Sequence, residues 1–126
     1  MKKEITVKIQ DQDYLIKFPN AGQLIEIETM KVSVSNGMYN GLVASRTKSA
    51  NIALDLIDSV CTFVVLIPEI RKNMRFDNIL EIDPIEAQEL VVIYKKVYFP
   101  WFAEWLEAMK ETEEKLNKLY STDKDE

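Results

Sequence analysis

The hydrophobic period of this chain changes once, at Pro19, and that change constrains the fold more than any other feature of the sequence. Before it, apolar residues alternate. Ile5, Val7 and Ile9 share one face while Thr6 and Lys8 point the other way. After the polar stretch Gln10-Asp11-Gln12-Asp13 the alternation resumes, with Tyr14, Ile16 and Phe18 opposite Leu15 and Lys17. The pattern predicts a β-hairpin over residues 4–18 with one buried and one wet face, joined by a turn of about four residues. An isolated two-stranded hairpin is marginal in water, so other elements must cover its apolar face.

Beyond Pro19 the spacing is helical. Asn20 is a good N-cap, and Gln23 stands three residues on, where a capping box requires it. A helix over about 21–31 then places Leu24, Ile27 and Met30 on one side. Residues 33–41 collect serine, asparagine and two glycines and predict a loop, with Asn36-Gly37 and Asn40-Gly41 as turns. From about Thr47 to Ile67 comes the most apolar helix, whose stripe runs Ala50, Leu54, Ile57, Cys61, Val64. If that stripe is the core, Leu54→Ala and Ile57→Ala should each cost roughly 2–5 kcal/mol. A short helix over 69–74 follows Pro68, and Arg75 to Ile82 predicts a loop.

Asp83-Pro84-Ile85-Glu86 is the clearest local signal: an N-cap, a proline at the first helical position, and a glutamate placed to reach back. The helix it starts should run to Phe99 and kink or restart at Pro100, which lacks a backbone donor. A last helix over 101–120 carries Glu111/Lys115 and Glu114/Lys118 at favourable acid-first spacing. The expectation is therefore an α+β chain, predominantly α: one domain over 1–120 with the hairpin at 4–18, a helical part at 20–120 of about four helices, and a polar tail at 121–126.

Composition closes off most chemistry. The chain has no histidine and a single cysteine, Cys61. The commonest general base, the usual triads, an internal disulfide and a thiolate cluster are thereby excluded. Asn36-Gly37 and Asn40-Gly41 lack the flanking residues of a phosphate loop. The pairs Asp55/Asp58 and Glu81/Asp83/Glu86/Glu89 could suggest a metal-dependent enzyme working through carboxylates. With 21 acidic residues in the chain such clusters arise by chance, and no ligand pattern accompanies them. The expectation is no enzyme, no cofactor, no metal and no small-molecule substrate. Cys61 lies inside the apolar stripe and is expected to be core. A net charge of −5 argues against nucleic acid. The richest apolar run, Val60 to Ile67, is too short to span a bilayer, and no apolar segment follows the basic Met1-Lys2-Lys3. These features predict a protein of the cytoplasm, without membrane contact.

Six of the twelve aromatic residues fall between Tyr94 and Trp105. Rings spaced around a helix cannot all face one side. Two readings follow: the break at Pro100 folds them onto the hairpin and central helix, or some of them contact another chain. Aromatics anchor interface cores, so Tyr98, Phe99, Trp101, Phe102 and Trp105 are the candidate interface residues. Base stacking is disfavoured, because Glu104 and Glu107 flank the rings and only Lys95 and Lys96 are basic. The charged terminal helix is either a solvated face or an arm that docks on a neighbouring subunit.

The order of elements (a charged hairpin from Ile5 to Phe18, a capped helix, a flexible loop, a very apolar helix, then a capped helix beginning Asp83-Pro84-Ile85-Glu86) resembles small tailed-bacteriophage morphogenesis proteins, particularly tail assembly chaperones. The resemblance covers roughly residues 4–98 and is one of element order rather than of a motif. The aromatic block and the terminal helix lie outside it. It implies a non-catalytic, multimerising protein, assembled in the host cytoplasm, whose partners are copies of itself or phage structural proteins. A structural component of the virion, such as an auxiliary capsid or tail protein, is the alternative.

Overall fold

In a computed structural model, which describes residues 1–121, the chain is α+β and predominantly α. An antiparallel hairpin of β1 (Glu4–Ile9) and β2 (Gln12–Lys17) precedes α1 (Ala21–Val34), α2 (Tyr39–Ser45), α3 (Lys48–Leu66) and α4 (Ile70–Asn73). A 3-10 turn at Ile79–Glu81 leads to α5 (Gln88–Ile93), a π-helical turn at Tyr94–Tyr98, and α6 (Phe99–Tyr120). All but Ser121 of the expected tail at 121–126 lies outside the described residues.

The hairpin keeps the predicted faces but has a tighter turn. Ile5 pairs with Ile16, Val7 with Tyr14, and Ile9 with Gln12, leaving only Gln10 and Asp11 in the loop. Both have positive φ, 50° and 63°, which is the geometry of a type I′ turn matched to the strands' twist. The polar run suggested a longer turn because neither residue is the asparagine or glycine that usually announces this geometry. Val7, Ile9, Tyr14 and Ile16 are buried, while Leu15 on the other face is exposed.

At the centre of the helical part is α3, against which α1, α2 and α5 pack, and α5 also meets β1. Thr47 caps α3 by accepting a bond from the Ala50 N–H. Its second half is enclosed on every side: Ser59, Val60, Cys61, Thr62, Phe63, Val64 and Val65 are all buried. Ser59 tolerates this because its hydroxyl donates to the Asp55 carbonyl at 2.7 Å. Of the expected stripe Ala50, Cys61 and Val64 are buried, while Leu54 and Ile57 are only partly so. By length and composition α3 could cross a membrane, yet here its buried half joins Val7, Ile9, Tyr14, Ile16, Ile70, Leu90, Tyr98 and Trp101 in one core.

Three local expectations are corrected. Asn36-Gly37 is a turn, both residues having positive φ, but Asn40-Gly41 lies inside α2. The Asp83 side chain accepts a bond from Ile85 N–H and its carbonyl takes the Ala87 N–H, so the capped segment is a single turn. The α-helix proper starts at Gln88, and it is Glu89, not Glu86, whose carboxylate is used: it accepts the Gln10 N–H, tying the hairpin turn to α5. The break at Pro100 is made upstream. Phe99 N–H donates to the Tyr94 carbonyl, a five-residue step, and α6 then starts with proline in its first turn. A π turn adds the slack that lets the helical path continue past a residue with no donor.

Candidate functional site

The aromatic block folds onto its own domain. Tyr98 and Trp101 are buried, at 3% and 6% exposure. Tyr98 meets Phe63 of α3 edge-on at 6.0 Å and stacks on Tyr94 at 5.4 Å. Phe18, the residue that ends the hairpin, meets Trp101 edge-on at 5.5 Å and stacks on Phe102 at 5.6 Å and on Trp105 at 4.3 Å. Both indole N–H groups donate to the Lys2 carbonyl, at 2.6 Å from Trp101 and 3.2 Å from Trp105. The rings thus clamp the edge of the hairpin and its N-terminal approach against α6. Edge-to-face and offset pairs of this kind contribute about 0.5–1.5 kcal/mol each beyond area burial.

Of the candidate interface residues, Tyr98 and Trp101 therefore serve the core. Phe102 and Trp105 are half-buried, and Phe99, 46% exposed, points outward. The sequence leaves both readings of the block open because it does not reveal Phe18 as a shared partner for three rings.

Past the block the environment changes. Every residue from Met109 to Tyr120 is exposed. Glu111/Lys115 and Glu114/Lys118 do not close into ion pairs; those that form among the described residues are Lys31–Glu28, Lys31–Asp58 and Lys95–Asp55. This distal part of α6 spans about 18 Å at 1.5 Å per residue. It carries Met109 and Leu116 on its surface, and Leu106 and the half-buried Trp105 and Phe102 sit at its root. Phe102, Trp105, Met109, Thr112 and Leu116 follow one another at steps of three, four, three and four, the spacing of a coiled-coil seam. That spacing was legible in the sequence, but the density of charge after Met109 hid it.

The acidic pair Asp55/Asp58 is split between two structural tasks. Asp55 binds Lys95 at 2.7 Å. Asp58 accepts the Tyr39 hydroxyl at 2.5 Å and lies 3.5 Å from Lys31, whose ammonium also meets Glu28 at 2.8 Å. Lys31 is buried and sits 5.7 Å above the Tyr39 ring, so the group stitches α1, α2 and α3 together. Burial, reinforced by the bond to Asp58, raises the Tyr39 pKa far above its ordinary value. Among the described residues no group of three histidines, cysteines or carboxylates is placed to hold a metal ion. Burial pushes the Cys61 thiol up to about 12, which keeps it protonated and unreactive.

A cleft of about 250 Å³ opens between α3 and the 79–84 segment, lined by aliphatic side chains including Leu56, Ile57, Val60, Ile79 and Ile82. It presents no titratable group, and so offers packing but no chemistry. No protein-family model, curated protein or solved structure matches the chain.

Proposed function

We propose that this chain is a non-catalytic protein–protein interaction protein that multimerises and acts in bacteriophage tail assembly, in the manner of an assembly chaperone, within the host cytoplasm. The observation that carries the reading is the distal part of α6, an exposed helix with an apolar seam standing beyond a domain whose aromatic rings are already packed. A helix of this length gains little from propensity alone and is stabilised chiefly by packing an apolar face. The phage setting rests on the resemblance in element order described above. The absence of enzyme chemistry rests on the missing histidine and on the structural use of Asp55, Asp58 and Glu89.

Mass spectrometry of purified particles, together with affinity capture from the infected cytoplasm, tests this reading. An assembly chaperone is absent from particles and captured with a tail component. Recovery in many copies per particle would instead make the chain a virion component, and capture of neither kind would remove the phage assignment.

A further inference from the structure

Among the described residues the sheet has only β1 and β2, so β2 has an outer edge with no strand beside it. The two-residue loop makes Ile9 and Gln12 a bonded pair, and the bonds then alternate to Val7–Tyr14 and Ile5–Ile16. The Phe18 N–H continues that ladder by donating to the Lys3 carbonyl at 3.0 Å. Asp13, Leu15 and Lys17 fall at the alternate positions, so their N–H and C=O groups point away from β1. All three residues are exposed. The path of α5 and the π turn follows β1 instead. There α5 packs on the strand, Glu89 holds the Gln10 N–H, and Val97 lines a groove with Lys2, Glu4, Ile5, Thr6 and Leu15.

The order of side chains on the β2 edge selects its occupant. Two copies of β2 run antiparallel about a two-fold axis at Leu15 set Asp13 opposite Lys17 of the second copy, Leu15 opposite Leu15, and Lys17 opposite Asp13. Each of these residues turns its backbone groups outward, so each pair can exchange both of its bonds. In-register parallel pairing would instead set Asp13 beside Asp13 and Lys17 beside Lys17. Sliding the antiparallel register one way brings in Pro19, which has no N–H; sliding it the other way brings in Asp11, held in the turn at positive φ.

The charges agree across the whole sheet that results. Within each hairpin Glu4 lies opposite Lys17, and Lys8 opposite Asp13. One row therefore reads Glu4, Lys17, then Asp13 and Lys8 of the second copy, changing sign at every step. The middle row reads Thr6, Leu15, then Leu15 and Thr6 of the second copy, and it covers a leucine that is 57% exposed in the single chain. Charges on an edge strand ordinarily discourage pairing, but the order of these suits a second copy of the same strand.

We infer that β2 pairs with β2 of a second copy of this chain, antiparallel about Leu15, so that the two hairpins form one continuous sheet. The contact is one strand per copy, short of the ~800 Å² per partner typical of stable interfaces, which makes the dimer a dissociating one. This deepens the multimerising part of the proposed function by naming the first partner as the chain itself, on a surface other than α6, and it does not depend on the phage setting.

Sedimentation equilibrium of the full chain over a wide concentration range tests it, alongside Asp13→Lys, Lys17→Asp and the double variant, all at exposed positions. The parent chain should show a reversible monomer–dimer equilibrium. Each single substitution sets like charges opposite one another at two symmetry-related pairs and should weaken the dimer about tenfold. The double variant restores opposite signs between copies but not within the hairpin, and it should recover most of that loss. Hydrogen exchange supplies a second readout. The Asp13, Leu15 and Lys17 amides should exchange fast in dilute protein and slow on association, while those of Tyr14 and Ile16 are slow throughout. A double variant that dimerises no better than either single one would overturn the pairing, as would a dimer in which those three amides stay fast. A monomer at all concentrations that still captures a tail component would overturn this inference and leave the assembly reading standing. A strand-paired dimer that captures none would leave this inference standing without it.

Discussion

Tyr39 and Asp58 share the shortest side-chain bond between helices, 2.5 Å, and a phenylalanine at 39 keeps the ring while deleting that donor. Bonds to a charged acceptor contribute about 1.5–3 kcal/mol, so Tyr39→Phe should lower the urea-derived stability by about that amount. Cys61 makes a different prediction. Its thiol ionises near 9.0 in an unfolded chain and is pushed up to about 12 by burial in the folded one. The folded state therefore holds its proton where the unfolded state has lost it. The stability this contributes is fully present below about pH 9 and is lost as pH rises from there through about 12. Burial raises the Tyr94 and Tyr98 pKa values as well, and they act with the same sign. Between pH 8 and pH 10.5, Cys61→Ala should lose about 2 kcal/mol less stability than the parent chain. Equal losses in the two proteins would mean that the thiol reaches water in the folded state.

At the scale of elements, the sequence announced most of what local chemistry controls. The alternation of Ile5, Val7 and Ile9 has no reading but a half-buried strand, and the Asn20/Gln23 capping box forms with both of its bonds. What it hid depends on contacts distant in the chain. Glu89 reaches 79 residues back to Gln10, Phe18 collects three rings from α6, and the buried Lys31 meets Asp58 of α3. The place of α3 in the core was legible, and so was its second half, where Val60, Phe63 and Val65 widen the apolar stripe around Cys61 and Val64. Phe63, fully buried, should cost about 3–5 kcal/mol on truncation to alanine, whereas Leu54→Ala at a partly buried site should cost distinctly less. Parallel urea melts of the two variants decide the ranking. In the hairpin, Asp11 holds a φ of 63°, and Asp11→Gly should raise stability by a few tenths to about 1 kcal/mol. A loss would show that the aspartate has a role beyond the turn.

The molecule as a whole divides its last helix between two tasks. The root, from Tyr98 to Trp105, closes the core over Phe18 and Phe63, while the stretch from Met109 to Tyr120 stands in solvent. Trp101→Ala should accordingly act on folding first, costing about 3–5 kcal/mol, because it removes a buried ring and the bond to the Lys2 carbonyl. Candidate anchors and core were separable only in three dimensions, since both consist of the same residue types at similar spacing. Hydrogen exchange along α6, followed from dilute to concentrated protein and then with a captured partner, tests this division most directly. Local opening without tertiary packing exchanges fast, and packing slows it. The account predicts strong protection of Tyr98 to Trp105 at every concentration, with fast exchange from Met109 to Tyr120 in dilute solution that slows on association. Strong protection of that distal stretch in the dilute monomer, or no change in it on assembly, would contradict the account.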